Sequence, residues 1–341
     1  MRALGVQMAA EMAEQPAVLA GLADRFDAIA GRVAALAAGP VAGVAFLARG
    51  SSDNAALLGR YAVELSSGLP TCLVAPSLMT AYGGSPRGFA DWIVVALSQS
   101  GGTPEIVDLT GRFTAAGATV IGITNEENSE LAAAAPLTVG LRAGVEVAVP
   151  ATKTVTAQML ATLAVTAGLG SARAIPQLAE LPARVASLLA DTAAIDETAS
   201  RLASHRRLAV VARGLCYPAA RETALKLQET TGMMAQGFSA ADFRHGPIAV
   251  CGPDAPALLL GGTEPADMDT RSLRPPLDER GARSIVFGSA AGDDVSWPAA
   301  DGASDCLLAT VRGQQLALAV SRRLGVDPDQ PGGLNKVTLT H

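Results

Sequence analysis

The chain has 341 residues, 49% hydrophobic and 17% charged, a compact globular composition long enough for two domains or one large α/β unit. Its net charge of −6 argues against a general nucleic-acid binder, whose footprint is a basic excess, and leaves small anionic substrates open. Cys72, Cys216, Cys251 and Cys306 form no CxxC pair, and no histidine stands at metal-ligand spacing. They read as reduced thiols of a cytosolic protein, without a metal site.

In chain order, the N-terminal stretch carries Glu11, Glu14 and Pro16 and lacks the basic and then apolar layout of a secretion signal, so a cytoplasmic location is expected. Residues 17–38 predict an amphipathic helix stopped by Gly39-Pro40. Residues 41–47 predict a strand, followed by the small-residue loop Ala48-Arg49-Gly50-Ser51-Ser52-Asp53 and a helix over 54–66. The pattern recurs with strands at 70–74 and 92–97, the loop Ser98-Gln99-Ser100-Gly101-Gly102-Thr103, a helix opened by Pro104-Glu105, and a strand at 119–123.

Residues 154–172 carry no charge and are about bilayer-spanning in length. Thr154, Thr156, Gln158, Thr162, Thr166 and two glycines dilute the segment, so a helix buried in a core or a subunit interface is expected and no membrane contact. A helical stretch over 175–205 leads to a second α/β pattern, with a strand at 208–211, the loop Ala212-Arg213-Gly214 and a helix over 217–230. Strands at 257–260 and 284–287 flank a charged connection in which Pro275-Pro276 restricts helix to short pieces.

Alternating strands and helices predict parallel sheets flanked by helices. Aligning Ala48-Arg49-Gly50 with Ala212-Arg213-Gly214 brings Ala55-Ala56 onto Ala219-Ala220, an internal repeat favouring two similar halves. The expected organisation is an N-terminal helical segment (1–40), a first α/β domain (41–173) and a second (174–341).

Two places carry candidate chemistry. The loop from Ser98 to Thr103, at the end of a strand and the start of a helix, offers hydroxyls, backbone N–H groups and the positive end of a helix dipole to an anion. Gly50, Ser51 and Ser52 end the preceding strand, and loops at the carboxyl ends of a parallel sheet converge on one crevice. The absence of GxGxxG and GxxxxGK[ST] patterns turns the expectation from nucleotides to a sugar phosphate. Equally, Thr103 could only cap its helix, with the serines as spacers. The second place is the helix over 217–230, where Glu222, Lys226 and Glu229 fall at i, i+4 and i+7 on one face. Such a triplet fits a solvated, salt-bridged face as well as a site. His245, one of three histidines, sits in Arg244-His245-Gly246-Pro247, where a turn residue is the other reading; Lys336 alone reads as a solvated tail lysine.

Taken together, ARGSS, LSQSGGTPE, VAVPATKT, YPAARETALKLQE, FRHGP and the tail QPGGLNKVT resemble the sugar isomerase (SIS) family, specifically the isomerase portion of glucosamine-6-phosphate synthase and its deaminase relatives, over nearly the whole chain. The resemblance implies two tandem SIS-type three-layer α/β/α units with parallel sheets, a homodimer, and no metal or organic cofactor. It also implies that Ser52, Ser98, Gln99, Ser100 and Thr103 bind phosphate beside Gly50 and Ser51, with Ala151 and Thr152 beside the sugar. Glu229 is then the base moving a proton between C1 and C2. His245 opens the ring from across the dimer interface, Lys336 lies at the carbonyl end, and Glu222 and Lys226 support.

Departures from the pattern shape the expected activity. No cysteine-nucleophile glutaminase domain precedes the isomerase pattern in this sequence; Ala151 stands where the synthase has serine and Gly332 where it has arginine. The expectation is therefore a phosphosugar isomerase/deaminase converting glucosamine 6-phosphate to fructose 6-phosphate and ammonia. A fructosamine-phosphate deglycase and a non-catalytic phosphosugar sensor are the alternatives.

Overall fold

The computed structural model describes residues 4–170, 172–262 and 265–336; Val337 and Thr338 of the quoted tail, and the ends of the expected outer domains, lie outside the described residues. The chain forms two compact units, each drawn from separate stretches of sequence. One is built from residues 18–146 and 153–175, the other from residues up to Ala17, 147–152 and 176–336.

In the first of these units, β1 (Gly43–Leu47), β2 (Thr71–Leu73), β3 (Trp92–Leu97), β4 (Thr119–Thr124) and β5 (Leu137–Gly140) make a parallel sheet in the order β2-β1-β3-β4-β5. β1, β3 and β4 are buried almost throughout, which is why they read as continuous apolar runs rather than alternating ones. The flanking helices include α1 (Ser51–Ser66), α2 (Pro104–Ala115) and α3 (Lys153–Gly168). Ala45, Leu47, Val94, Ala96 and Val120 pack with Ile106, Leu109 and Phe113 of α2. On the other face, Gly59 of α1 leaves no room for a Cβ between the Phe46 ring and Thr162 of α3. The uncharged segment is α3, buried at every residue from Lys153 to Thr166, and among the described residues no helix is long and apolar enough to cross a membrane.

The other unit repeats the arrangement. Here β6 (Arg207–Ala212), β7 (Met234–Ser239), β8 (Ala257–Leu260), β9 (Ser284–Gly288) and β10 (Val295–Ser296) run parallel in the order β10-β9-β8-β6-β7. In both sheets the unit's first strand lies between its second and third, so the repeat seen in short motifs extends to topology. Ala209, Val211, Leu259 and Val286 pack with Phe243, Leu273 and Leu277. The helices α4 (Tyr217–Thr231) and α5 (Gly302–Leu324) cross where Gly313 meets Thr223.

Three differences from the sequence reading have physical causes. The helix expected over 17–38 is two, Gln15–Ala23 and Phe26–Leu36. At the break the Arg25 guanidinium donates to the carbonyls of Gly140 and Leu141 (3.1 and 3.2 Å), a tertiary tie that local propensity does not contain. β7 carries no strand signal in the sequence because Met-Ala-Gln-Gly-Phe-Ser has no β-branched residue. α5 carries no helical signal in the sequence because it is buried on nearly every face, which removes the amphipathic period. Its ends are nonetheless marked by Asp301, whose side chain accepts from the Ser304 N–H, and by Gly325 in the left-handed region.

The α4–α5 crossing is testable. Gly313→Ala puts a methyl group onto Thr223 Oγ1, and should destabilise the protein by about 1–3 kcal/mol in urea titration. Adding Thr223→Ala should recover much of that loss.

Candidate functional site

The sheet order of the first unit reverses between β1 and β3, and in an open parallel sheet ligands bind outside the carboxyl ends of the strands at such a point. The two hydroxyl-bearing loops follow those two strands. Gly50 caps α1 at φ +60°, ψ −134° with open space where a Cβ would stand, a backbone conformation that favours glycine. Ser52, buried on the first turn, donates to Gln158 Oε1 of α3 (3.0 Å).

The second loop is wound tightly. Ser98 Oγ accepts from the Gly101 N–H (3.2 Å) and shares a hydrogen bond with Thr103 Oγ1 (3.2 Å), while Ser100 Oγ accepts from the Gly102 N–H (3.3 Å). Gly101 is at φ +61°, and a Cβ there would run into Ser129. The Gln99 carbonyl accepts from the Asn125 N–H (3.1 Å) and Thr124 Oγ1 (3.3 Å), anchoring the loop on the end of β4. Thr103 occupies the N-cap of α2, but its hydroxyl makes no capping hydrogen bond; it turns to Ser98 instead. Arg49 pairs with Glu105 in the first turn of α2 (2.8 Å), neutralising a buried carboxylate beside an expected anion place. No local motif marks these roles of Arg49 and Gln158.

In the other unit, α4 buries its charged face. Glu222 and Lys226 are 0% and 1% exposed, and Glu229 is 21% exposed, so the solvated-face reading is overturned. Lys226 Nζ lies 3.5 Å from Glu222 Oε1 and pairs with Glu229 Oε2. The spacing makes this possible, because i+4 and i+3 side chains share a helix face. Burial lifts the Glu229 pKa above the usual carboxylate range; Lys226 opposes the rise, Glu222 adds to it, and Lys336 opposes it. Of the two carboxylates, only Glu229 reaches solvent appreciably.

The tail and the turn belong to this same unit. Lys336 is half-buried and acts on the Glu229 charge. Thr152 is fully buried and its carbonyl accepts from Gln314 Nε2 of α5 (3.2 Å), while Ala151 is half-buried. His245 is exposed at the end of the short helix Ala240–Arg244; among the described residues no hydrogen bond or ion pair joins it to the α4 cluster. The structure thus gathers Glu222, Lys226, Glu229 and Lys336 in one unit, and Gly50, Ser51, Ser52 and the 98–103 loop in the other. Among the described residues no group of three or more His, Cys, Asp or Glu side chains is arranged to hold a metal ion.

The SIS domain family model matches residues 43–167 and 201–302, one match over each sheet. The chain belongs to the SIS domain family. The isomerizing glutamine–fructose-6-phosphate aminotransferase of Methanothermobacter thermautotrophicus is 29% identical over 338 residues, 96% of this chain and 56% of that protein. The chain spans about half the length of the curated relatives it matches. A crystal structure from Silicibacter pomeroyi, provisionally described as a phosphosugar isomerase, is 28% identical with a TM-score of 0.82, covering 94% of this SIS chain and 99% of that one. The glucosamine-6-phosphate deaminase of Thermotoga maritima, 20% identical, shares the fold with a TM-score of 0.79 over 98% and 100% of the two chains.

Removing Lys226 leaves buried carboxylates without their cation, so Lys226→Ala should destabilise the protein by about 3–5 kcal/mol. Arg60→Ala, which breaks an exposed pair with Glu64 (43% and 44% exposed), should lose about 1 kcal/mol or less. Urea denaturation of the two variants measures the contrast.

Proposed function

We propose that this chain is a phosphosugar isomerase/deaminase that converts glucosamine 6-phosphate and water to fructose 6-phosphate and ammonia. The observation that carries the proposal is Glu229: a partly exposed carboxylate of raised proton affinity, backed by a buried lysine and a second buried carboxylate. A general base for a carbon-bound proton needs that combination of access and basicity. Support also comes from the relatives, which include an isomerizing aminotransferase named for fructose 6-phosphate and, on the same fold, a glucosamine-6-phosphate deaminase.

In the proposed sequence the hydroxyls of Ser52, Ser98, Ser100 and Thr103, the Gln99 amide and the N-terminus of α2 take the phosphate, beside Gly50 and Ser51. His245, contributed by the partner subunit of a homodimer, moves the proton that opens the sugar ring. Glu229 removes the proton from C2 of the open-chain aldose, the electron pair passes toward C1, and Lys336 stabilises the negative charge developing on the C1 oxygen. Glu229 returns the proton to C1 as the amino nitrogen's lone pair forms the C=N bond, and a proton passes from that nitrogen to the C1 oxygen, leaving an imine at C2 and a hydroxyl at C1. Water adds there and ammonia departs, giving the ketose. Ala151 and Thr152 flank the sugar, and Glu222 and Lys226 hold Glu229 in place. Deamination is the proposed direction because it needs only water, whereas amination needs a supply of ammonia. The chemistry belongs in the cytoplasm, with its phosphorylated substrate.

Ammonia release from a panel of amino sugar phosphates, with solvent-proton exchange at C2, tests this. Wild-type protein should release ammonia from glucosamine 6-phosphate, and Glu229→Gln should lower the rate by about a hundredfold or more. Release only from a fructosamine phosphate would mean a deglycase, and binding with neither release nor exchange would mean a sensor. Ser100→Ala should raise KM more than it lowers kcat.

The pH profile gives a separate check. A raised carboxylate pKa keeps Glu229 protonated to higher pH, and only the deprotonated form is a base, so activity rises as pH passes through the raised value. The acidic limb of kcat should therefore lie above 4.5, the ordinary glutamate value, and should vanish in Glu229→Gln. A limb at or below the ordinary value would remove Glu229 as the base.

A further inference from the structure

One carboxylate outside the α4 cluster joins three segments of the second-sheet unit. Asp329, 8% exposed, lies seven residues before Lys336. Its Oδ2 accepts from the Gln7 N–H (2.9 Å) and its Oδ1 from the Met8 N–H (2.8 Å), at the first turn of the helix Val6–Ala13. Its carbonyl accepts from the Val149 N–H (3.3 Å). Asp327 reinforces the joint, with Oδ1 accepting from the N–H groups of Gly5 (3.0 Å) and Asp329 (3.2 Å).

The same helix also holds the two residues just before Val149 in the 147–152 segment. Glu11 Oε1 accepts from the N–H groups of Val147 and Ala148, and Met8, Met12, Ala148 and Leu318 form a small apolar cluster beneath. A carboxylate that satisfies N–H groups at a helix start answers both their missing partners and the helix dipole. Here it comes from more than three hundred residues away in sequence, so its effect is to tie distant segments together as well as to cap.

We propose that Asp329 is a positioning residue that sets Lys336 and the Pro150–Thr152 turn in one register through the Val6–Ala13 helix. Between the anchor and Lys336, Pro331 is buried and its carbonyl accepts from the Leu334 N–H (3.4 Å), closing a turn over Gly332-Gly333. The place of Lys336 therefore depends on where the tail is held at Asp329. This inference rests on the roles proposed above for Lys336 and the turn, and its structural half can be measured without them.

Amide hydrogen exchange and kinetics on the full chain make the test. Asp329→Ala should speed exchange at Gln7, Met8 and Val149 about tenfold or more, with α4 amides unchanged. Its kcat should fall roughly tenfold to a hundredfold, with KM little changed. Asp329→Ala combined with Lys336→Ala should be no slower than Lys336→Ala alone, since residues acting through one another are not additive. Asp329→Asn, which retains one acceptor oxygen, should fall between wild type and Asp329→Ala in both readouts and serves if the alanine variant does not fold. Unchanged exchange at Val149, or multiplicative rate losses in the double variant, would overturn the proposal. If Lys336→Ala is itself fully active, the role given to Lys336 fails and the coupling with it, while the exchange result still reports whether Asp329 ties the segments.

Discussion

Lys226 is buried between Glu222 and Glu229, and the organisation of the second-sheet unit follows from keeping that charge in place. A lone ammonium in such surroundings would be expelled or neutralised. Two carboxylates one helical turn away on either side make it tolerable, and α5 crosses closely enough to exclude water, with Gly313 against Thr223. The consequence for chemistry is asymmetric. Glu222 is sealed in with the lysine, whereas Glu229 sits at the edge of the buried pair, where desolvation increases its affinity for a proton and access remains.

The first-sheet unit handles charge in the opposite way, with hydroxyls and backbone amides grouped at a helix start. Beside the loop, the buried carboxylate of Glu105 is paired with Arg49. A second, Glu146, lies at the start of α3 and accepts from the Thr154 N–H (3.1 Å) and hydroxyl (2.6 Å), where the helix dipole favours a negative charge. Both units share one strand order, so the same scaffold presents neutral donors in one case and an acid–base helix in the other. The strand framework is common and the loop and helix chemistry differ.

Much of this was legible residue by residue. The strands β1, β3, β8 and β9 stand out as apolar runs, and α2 begins at Pro104 as its N-terminal signals indicate. The 98–103 loop was recognisable from its small hydroxyl residues, although the turn of Thr103 toward Ser98 was not, because an N-cap threonine ordinarily bonds its own helix. Motif reading could not tell whether the α4 charges were solvated or buried, since i, i+4, i+7 spacing serves both. Glu11, Gln314 and Asp329 belong to no local pattern and act on residues distant in sequence.

The sequence by itself therefore determined the alternation of strands and helices, the two-unit repeat and the chemical types at each motif, because these depend on local periodicity and on side-chain identity. Only the tertiary structure decided which charges lose their water, which hydroxyls bond each other, and which segments are tied together at Asp329. Desolvation and long-range hydrogen bonds depend on what packs around a residue, and that neighbourhood is assembled from chain segments a local pattern does not connect.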